Sequence, residues 1–81
     1  MGKHDKIKQD VVGGLANANI RFDDLCGLLT ELGFDVRIKG SHHIYKKSGV
    51  FEILNLQPDS NGKAKPYQVR QVKAAILQHN L

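Results

Sequence analysis

The sequence predicts a two-layer α+β fold, in which two helices cover one face of a three-stranded antiparallel sheet in the order α-β-β-β-α. Three observations predict it. Residues 22–32 carry apolar side chains at helical spacing, residues 34–57 switch to strand-like alternation, and residues 66–78 return to helical spacing. The chain has 81 residues, which is enough for one small domain. This length excludes a multidomain enzyme, a Rossmann-type nucleotide-binding fold and a barrel.

Residues 1–19 are predicted to be an extension ahead of the domain formed by residues 20–81. Residues 3–12 are weakly helical, because two apolar residues lie four positions apart and a Gly-Gly pair follows. The extension is either mobile or packed on the domain through Leu15 and Ile20, and the sequence leaves both alternatives open.

The first strong element is a helix over residues 22–32. Asp23 and Asp24 fall in its first turn, where the helix dipole favours negative charge, and Gly33 ends it. Its apolar stripe consists of Phe22, Leu25, Cys26, Leu29 and Leu32. Cys26 is therefore expected to be a core thiol rather than a nucleophile. Because it is the single cysteine, a disulfide-stapled secreted module is excluded.

Three strands are predicted over residues 34–39, 42–47 and 50–57, joined by short turns at Gly40-Ser41 and Ser48-Gly49. The first strand should be half-buried through alternating apolar residues, namely Phe34, Val36 and Ile38. In the third strand the apolar residues do not share one parity, which indicates either a bulge or burial on both faces.

A loop follows over residues 58–65, and Pro66 is well suited to begin the final helix, which is predicted to end near Gln78. Its apolar stripe is formed by Val69, Val72 and Ile76, with Leu77 beside it. Both helices need the same sheet face to bury their stripes, so the other face stays partly open to solvent. This is the layout of double-stranded-RNA-binding domains.

Positive charge is concentrated in the second half of the chain. The sequence has 12 Lys and Arg against 8 Asp and Glu, a net charge of +4, and eight of the basic residues but only two of the acidic ones follow position 36. Such a basic half fits a polyanionic partner such as nucleic acid, although a solvated surface would have the same composition. No apolar run approaches the roughly 20 residues of a membrane span, and the N-terminus lacks a secretory leader. We therefore expect a cytoplasmic protein.

The segment from Gly40 to Tyr45 is the candidate site, because two histidines open a strand directly after a small-residue turn. Adjacent strand side chains point to opposite faces, so His42 and His43 cannot readily share a metal or a phosphate. The sequence predicts no metal site and no cofactor. If Ile44 faces the core, the exposed imidazole is His43, unless a bulge re-aims His42.

A single exposed imidazole suits RNA cleavage, in which the 2′-hydroxyl attacks the adjacent phosphate. Histidine, whose ordinary pKa lies near neutrality, can act as the base, and lysines can stabilise the charge that develops on the phosphate. The basic residues expected near this strand are Lys39, Lys46, Lys63 and Lys65. A polar strand start without any chemistry remains the alternative.

The segment Lys39-Gly40-Ser41-His42-His43-Ile44-Tyr45 resembles the signature of the HicA toxins, small mRNA interferases of bacterial toxin–antitoxin systems. The upstream DDLCGLLTELGF resembles the first helix of that family, and ILNLQP with KPYQVRQVKAAILQHNL resembles its third strand and final helix. The similarity covers about residues 20–81. Many members carry another histidine in the loop after the third strand, where this chain has Gln57-Pro58-Asp59-Ser60.

The resemblance implies metal-independent endoribonuclease cleavage of mRNA, with His42 as the catalytic residue and His43 as the second choice. It also implies a HicB-type antitoxin that covers the site. The residues expected to contact RNA are Lys39, Ser41, Lys46, Lys63, Lys65 and Arg70. Two other functions fit the same sequence: a non-catalytic RNA-binding module of this fold, and a basic protein-interaction domain.

Overall fold

The structure, a computed structural model, describes residues 3–13 and 20–81. It confirms the predicted α+β fold, with a helix ahead of the α-β-β-β-α core. The elements in chain order are α1 (Lys3–Gly13), α2 (Phe22–Glu31), β1 (Asp35–Lys39), β2 (His42–Lys47), β3 (Val50–Leu56) and α3 (Pro66–His79). The final helix begins at the predicted proline and continues one residue past the predicted end, where Asn80 adopts a left-handed conformation.

The sheet is antiparallel with the strand order β1-β2-β3, so β2 is the central strand. Lys39 pairs with His42 and Arg37 with Ile44 across β1 and β2, while Ile44 in turn pairs with Asn55 of β3. Residues paired in this way point to the same face of the sheet. The register therefore decides which predicted site residues lie together.

The helices cover one face of the sheet, and the core forms between the helices and that face. Tyr45, Leu54 and Leu56 point from the sheet into this core. The helices contribute a larger set of buried side chains: Val11, Phe22, Leu25, Leu28, Leu29, Val69, Val72, Ala75 and Ile76. Leu28 extends the predicted stripe of α2, whereas Cys26 and Leu32 are only partly buried at its margin.

The N-terminal helix α1 is part of this packing. It contacts both α2 and α3, and Val11 is fully buried in the shared core. The Lys8 ammonium also donates a hydrogen bond to the backbone carbonyl of Leu81. Ile20 is buried as expected, while Leu15 and the connector at residues 16–19 lie outside the described residues.

Burial differs from the prediction in β1 and at Leu77, whereas in β3 the structure agrees with the bulge, one of the two predicted alternatives. Val36 and Ile38 alternate as expected but are 44% and 61% exposed, because α3 packs on β3 and leaves the opposite edge strand at the margin of the helix layer. Leu77 is 55% exposed, on the outer side of α3. In β3, Leu54 is buried and Ile53 faces outward, so this strand is not buried on both faces. The register of β2 and β3 does shift, between Tyr45 and Lys47.

Candidate active site

The sheet face that points away from the helices is called here the open face. Tyr45 and Leu54 point into the core, so their strand neighbours point outward, and the register adds the matching positions of β1. The open face carries Asp35, Arg37 and Lys39 from β1, His42, Ile44 and Lys46 from β2, and Phe51, Ile53 and Asn55 from β3. It therefore combines basic, aromatic and imidazole side chains on one surface.

His42 is the exposed histidine of the pair. Tyr45 is buried, so His43 shares the core-facing side with it, while His42 and Ile44 share the open face. The alternative in which Ile44 faces the core and His43 is exposed is therefore wrong. The alternation did not distinguish Ile44 from Tyr45 as the core residue, because both are large side chains that a core can accept. No bulge at Gly40-Ser41 is needed to expose His42, and Ser41 itself lies in an exposed turn.

His43 is instead packed against the first residue of α2. Its ring meets the Phe22 ring edge-on, with centroids 4.9 Å apart. Its Nδ1 is buried and has no hydrogen-bond partner within the described part of the chain. This environment makes His43 a packing residue in the structure.

A hydrogen bond on the open face holds the His42 ring. Its Nδ1 lies 3.0 Å from Oδ1 of Asn55, which is the diagonal neighbour of His42 on β3. Both side chains are exposed, so the rest of the imidazole remains accessible. Sequence reasoning missed Asn55, although its position could have been found by pairing β2 with β3 through the turn at residues 48–49.

The predicted basic residues fall into two groups. Lys39 is the cross-strand partner of His42, and Lys46 lies four residues further along the same face, where it pairs with Asp35. Arg37 also lies on this face and was missed, although it shares the parity of Lys39. A groove of about 360 Å³ is lined by Asp35, Val36, Arg37, Ile44 and Lys46.

Lys63 and Lys65 belong to the helix side of the molecule. The backbone of Lys63 forms an isolated antiparallel β-bridge with that of Arg21. Next to it, the backbone N–H of Phe22 donates a hydrogen bond to the carbonyl of Gly62. Lys65 is the residue that precedes α3, and Arg70 is exposed on that helix. The expected cluster of Lys39, Lys46, Lys63 and Lys65 around one imidazole is therefore divided between two surfaces, since the loop after β3 turns toward the start of α2.

The loop at residues 57–65 is organised by Asp59. Its carboxylate accepts hydrogen bonds from the backbone N–H groups of Asn61, at 2.8 Å, and Lys63, at 2.9 Å. These bonds, above all the one from Lys63, lower the pKa of Asp59 below its ordinary value. The ionised carboxylate thus positions the backbone that carries Lys63.

We expect acid to loosen this loop. Because the pKa of Asp59 is lowered in the folded state, its stabilising effect is complete above the ordinary aspartate value of about 4 and is lost as the pH falls below it. The protection factors of the Asn61 and Lys63 amides, which compare the observed exchange with the intrinsic exchange rate at each pH, should therefore fall as the pH drops below about 4. Asp59→Asn is the matched control, since its amide oxygen still accepts but does not titrate in this range. Equal acid sensitivity in both proteins would contradict this role.

Cys26 is poorly suited to nucleophilic chemistry. Burial raises the pKa of its thiol, and burial likewise raises the pKa of the Tyr45 hydroxyl that contacts it. A thiol with a raised pKa remains protonated near neutrality, and the thiolate is the nucleophile. Cys26 thus packs at the margin of the core rather than fully within it.

Within residues 3–13 and 20–81, no three His, Cys, Asp or Glu side chains come together in a way that could hold a metal ion. In the same part of the chain, no helix is both long and apolar enough to cross a bilayer.

The family model for the HicA toxin of bacterial toxin–antitoxin systems matches residues 22–79, which is more than half of the chain. The chain belongs to the HicA toxin family. The match includes the whole α-β-β-β-α core, the His42–Asn55 pair and the loop organised by Asp59. No curated protein and no solved structure matches the chain. Membership of this family makes the protein the toxin of a toxin–antitoxin pair and implies an antitoxin as its partner.

Proposed function

We propose that this HicA-family toxin is a metal-independent endoribonuclease that cleaves mRNA, with His42 as its general base. The observation that carries the proposal is an exposed imidazole beside cationic side chains on the open face of a HicA-family domain. We assign the activity to residues 20–81, with residues 1–19 as an extension of that domain. His43 is the weaker candidate because its ring is packed against Phe22.

In the proposed reaction, the imidazole takes the proton of an RNA 2′-hydroxyl. The 2′-oxygen then forms a bond to the adjacent phosphorus, and the bond from phosphorus to the 5′-oxygen of the next nucleotide breaks. The leaving 5′-oxygen takes a proton from water or from the imidazolium. The products are a 2′,3′-cyclic phosphate and a 5′-hydroxyl, and no metal is needed because the nucleophile is part of the substrate.

The basic residues would serve this reaction in two ways. Lys39, the cross-strand partner of His42, would stabilise charge on the attacked phosphate. Lys46 lies four residues further along β2, about 13 Å away, and would contact the RNA backbone there. A second set of residues lies outside the open face and would position the RNA backbone through contacts that carry little sequence information. This set consists of Ser41, Lys63, Lys65 and Arg70.

The antitoxin partner is proposed to be of the HicB type and to cover His42. The open face offers two large apolar side chains, Phe51 at 89% exposure and Ile53 at 58%, near Lys46 and Arg37. These apolar side chains lie on the edge strand β3, and the cations lie on strands β2 and β1. The face therefore suits a partner that is apolar where it meets β3 and acidic where it meets the other two strands. A protein bound here would also exclude RNA from the imidazole.

The proposal is tested by incubating the purified protein with end-labelled mRNA in EDTA. We expect cleavage products that end in a 2′,3′-cyclic phosphate. Salt-dependent RNA binding without cleavage would select the non-catalytic RNA-binding module instead. An absence of RNA affinity at low salt would select the protein-interaction domain.

A further inference from the structure

We propose that Asn55 is the positioning residue of His42, and that it holds the proton on Nδ1 so that Nε2 acts as the base. This inference rests on the proposed function for its catalytic part. The tautomer itself is a property of the free protein and can be measured without RNA.

The orientation of the Asn55 amide determines the protonation pattern. A reversed amide would donate from its nitrogen to an unprotonated Nδ1. In the orientation seen in the structure, Oδ1, which only accepts hydrogen bonds, lies 3.0 Å from Nδ1 of His42, so Nδ1 carries the proton and donates it. In a neutral imidazole the other nitrogen then has the lone pair. Nε2 is therefore the atom that can accept a proton from a 2′-hydroxyl.

The same contact fixes where the lone pair points. Asn55 lies on β3, and His42 begins the central strand β2, so two paired strands of the sheet carry the two side chains. A ring held at Nδ1 has less freedom to rotate than the free side chain of an exposed strand residue. The proton acceptor is thus presented in one orientation before RNA binds, which lowers the cost of reaching a productive geometry.

The two other strand residues beside His42 do not offer this contact. Lys39, its partner on β1, only donates hydrogen bonds through its side chain, and Ile44 is apolar. Asn55 supplies the acceptor that the His42 ring contacts in the structure.

The test is nitrogen NMR of the histidine rings in the free protein above the pH at which they are protonated. In the wild type, Nδ1 of His42 should give a protonated, pyrrole-type shift and Nε2 a lone-pair, pyridine-type shift. Asn55→Ala should move both toward the averaged values of an unrestrained imidazole. His79 is an internal control, because its Nε2 contacts Glu52 and not Asn55. A wild-type ring protonated at Nε2, or shifts unchanged in Asn55→Ala, would overturn the inference.

Cleavage assays then test the consequence for catalysis. Asn55→Ala should lower kcat by about threefold to tenfold, as expected for the loss of one neutral hydrogen bond, with little change in KM. Asn55→Asp should restore the Nδ1-protonated ring and move the ascending limb of the pH–rate profile to higher pH, because a carboxylate favours the imidazolium. An unchanged pH profile in Asn55→Asp would contradict the positioning role. If cleavage did not depend on His42 at all, the tautomer would still be measurable, so the two proposals fail separately.

Discussion

His42→Ala is expected to reduce the rate of RNA cleavage by about 100-fold to 10,000-fold, the usual contribution of a positioned general base. The side chain is exposed on the open face, and its hydrogen bond is to another exposed residue, Asn55. Removing it therefore leaves the core untouched, and the melting temperature should stay close to that of the wild type. Single-turnover cleavage of labelled mRNA in EDTA, beside a thermal melt of the same preparation, measures both effects.

His43→Ala is the matched control. It removes an adjacent imidazole of the same strand, but one whose ring packs on Phe22 and whose Nδ1 has no partner in the described residues. We expect the folded variant to keep cleaving RNA. Activity that survives in His42→Ala and disappears in His43→Ala would reverse the assignment, and loss in neither variant would remove the nuclease proposal.

The sequence predicted the order of the elements because each one carries a local signal. Helical spacing in α2, the turn glycines between the strands and Pro66 at the start of α3 each specify their own segment. The packing of α1 was harder to predict from the sequence. Ile7, Val11 and Val12 are the few apolar residues in an otherwise polar helix, and only the tertiary structure shows that contacts with α2 and α3 bury Val11 fully.

The site was partly predictable for a related reason. His42 stands out because two histidines follow Gly40-Ser41, but the face it occupies depends on which neighbour, Ile44 or Tyr45, enters the core. The position of Asn55 beside His42 depends in addition on the pairing of β2 with β3, which is non-local. The division of the lysines between two surfaces results from the path of the loop toward α2, and local composition does not encode that path.

Phe51→Ser is expected to weaken the complex with the antitoxin by about 30-fold or more, the effect of losing an aromatic hot spot worth about 2 kcal/mol. Phe51 is 89% exposed on the edge strand β3, and its ring centroid lies 6.3 Å from that of His79 at the end of α3. Its substitution removes only this ring contact, so it should cost the free toxin little stability and leave RNA cleavage near the wild-type rate. Co-expression with the protein encoded beside the toxin gene, followed by calorimetric titration of purified components, measures the affinity.

Leu77→Ser is the matched control for this variant, because Leu77 is also a large, exposed apolar side chain but lies on α3. It should leave the affinity unchanged, because a partner that covers the open face does not reach the outer side of the helix layer. The wild-type complex should also stop RNA cleavage, since the same partner would lie over His42. Equal affinity losses in the two variants would indicate a nonspecific apolar contact. A complex that keeps the free-toxin cleavage rate would place the antitoxin away from the open face, on the helix layer or on residues 1–19.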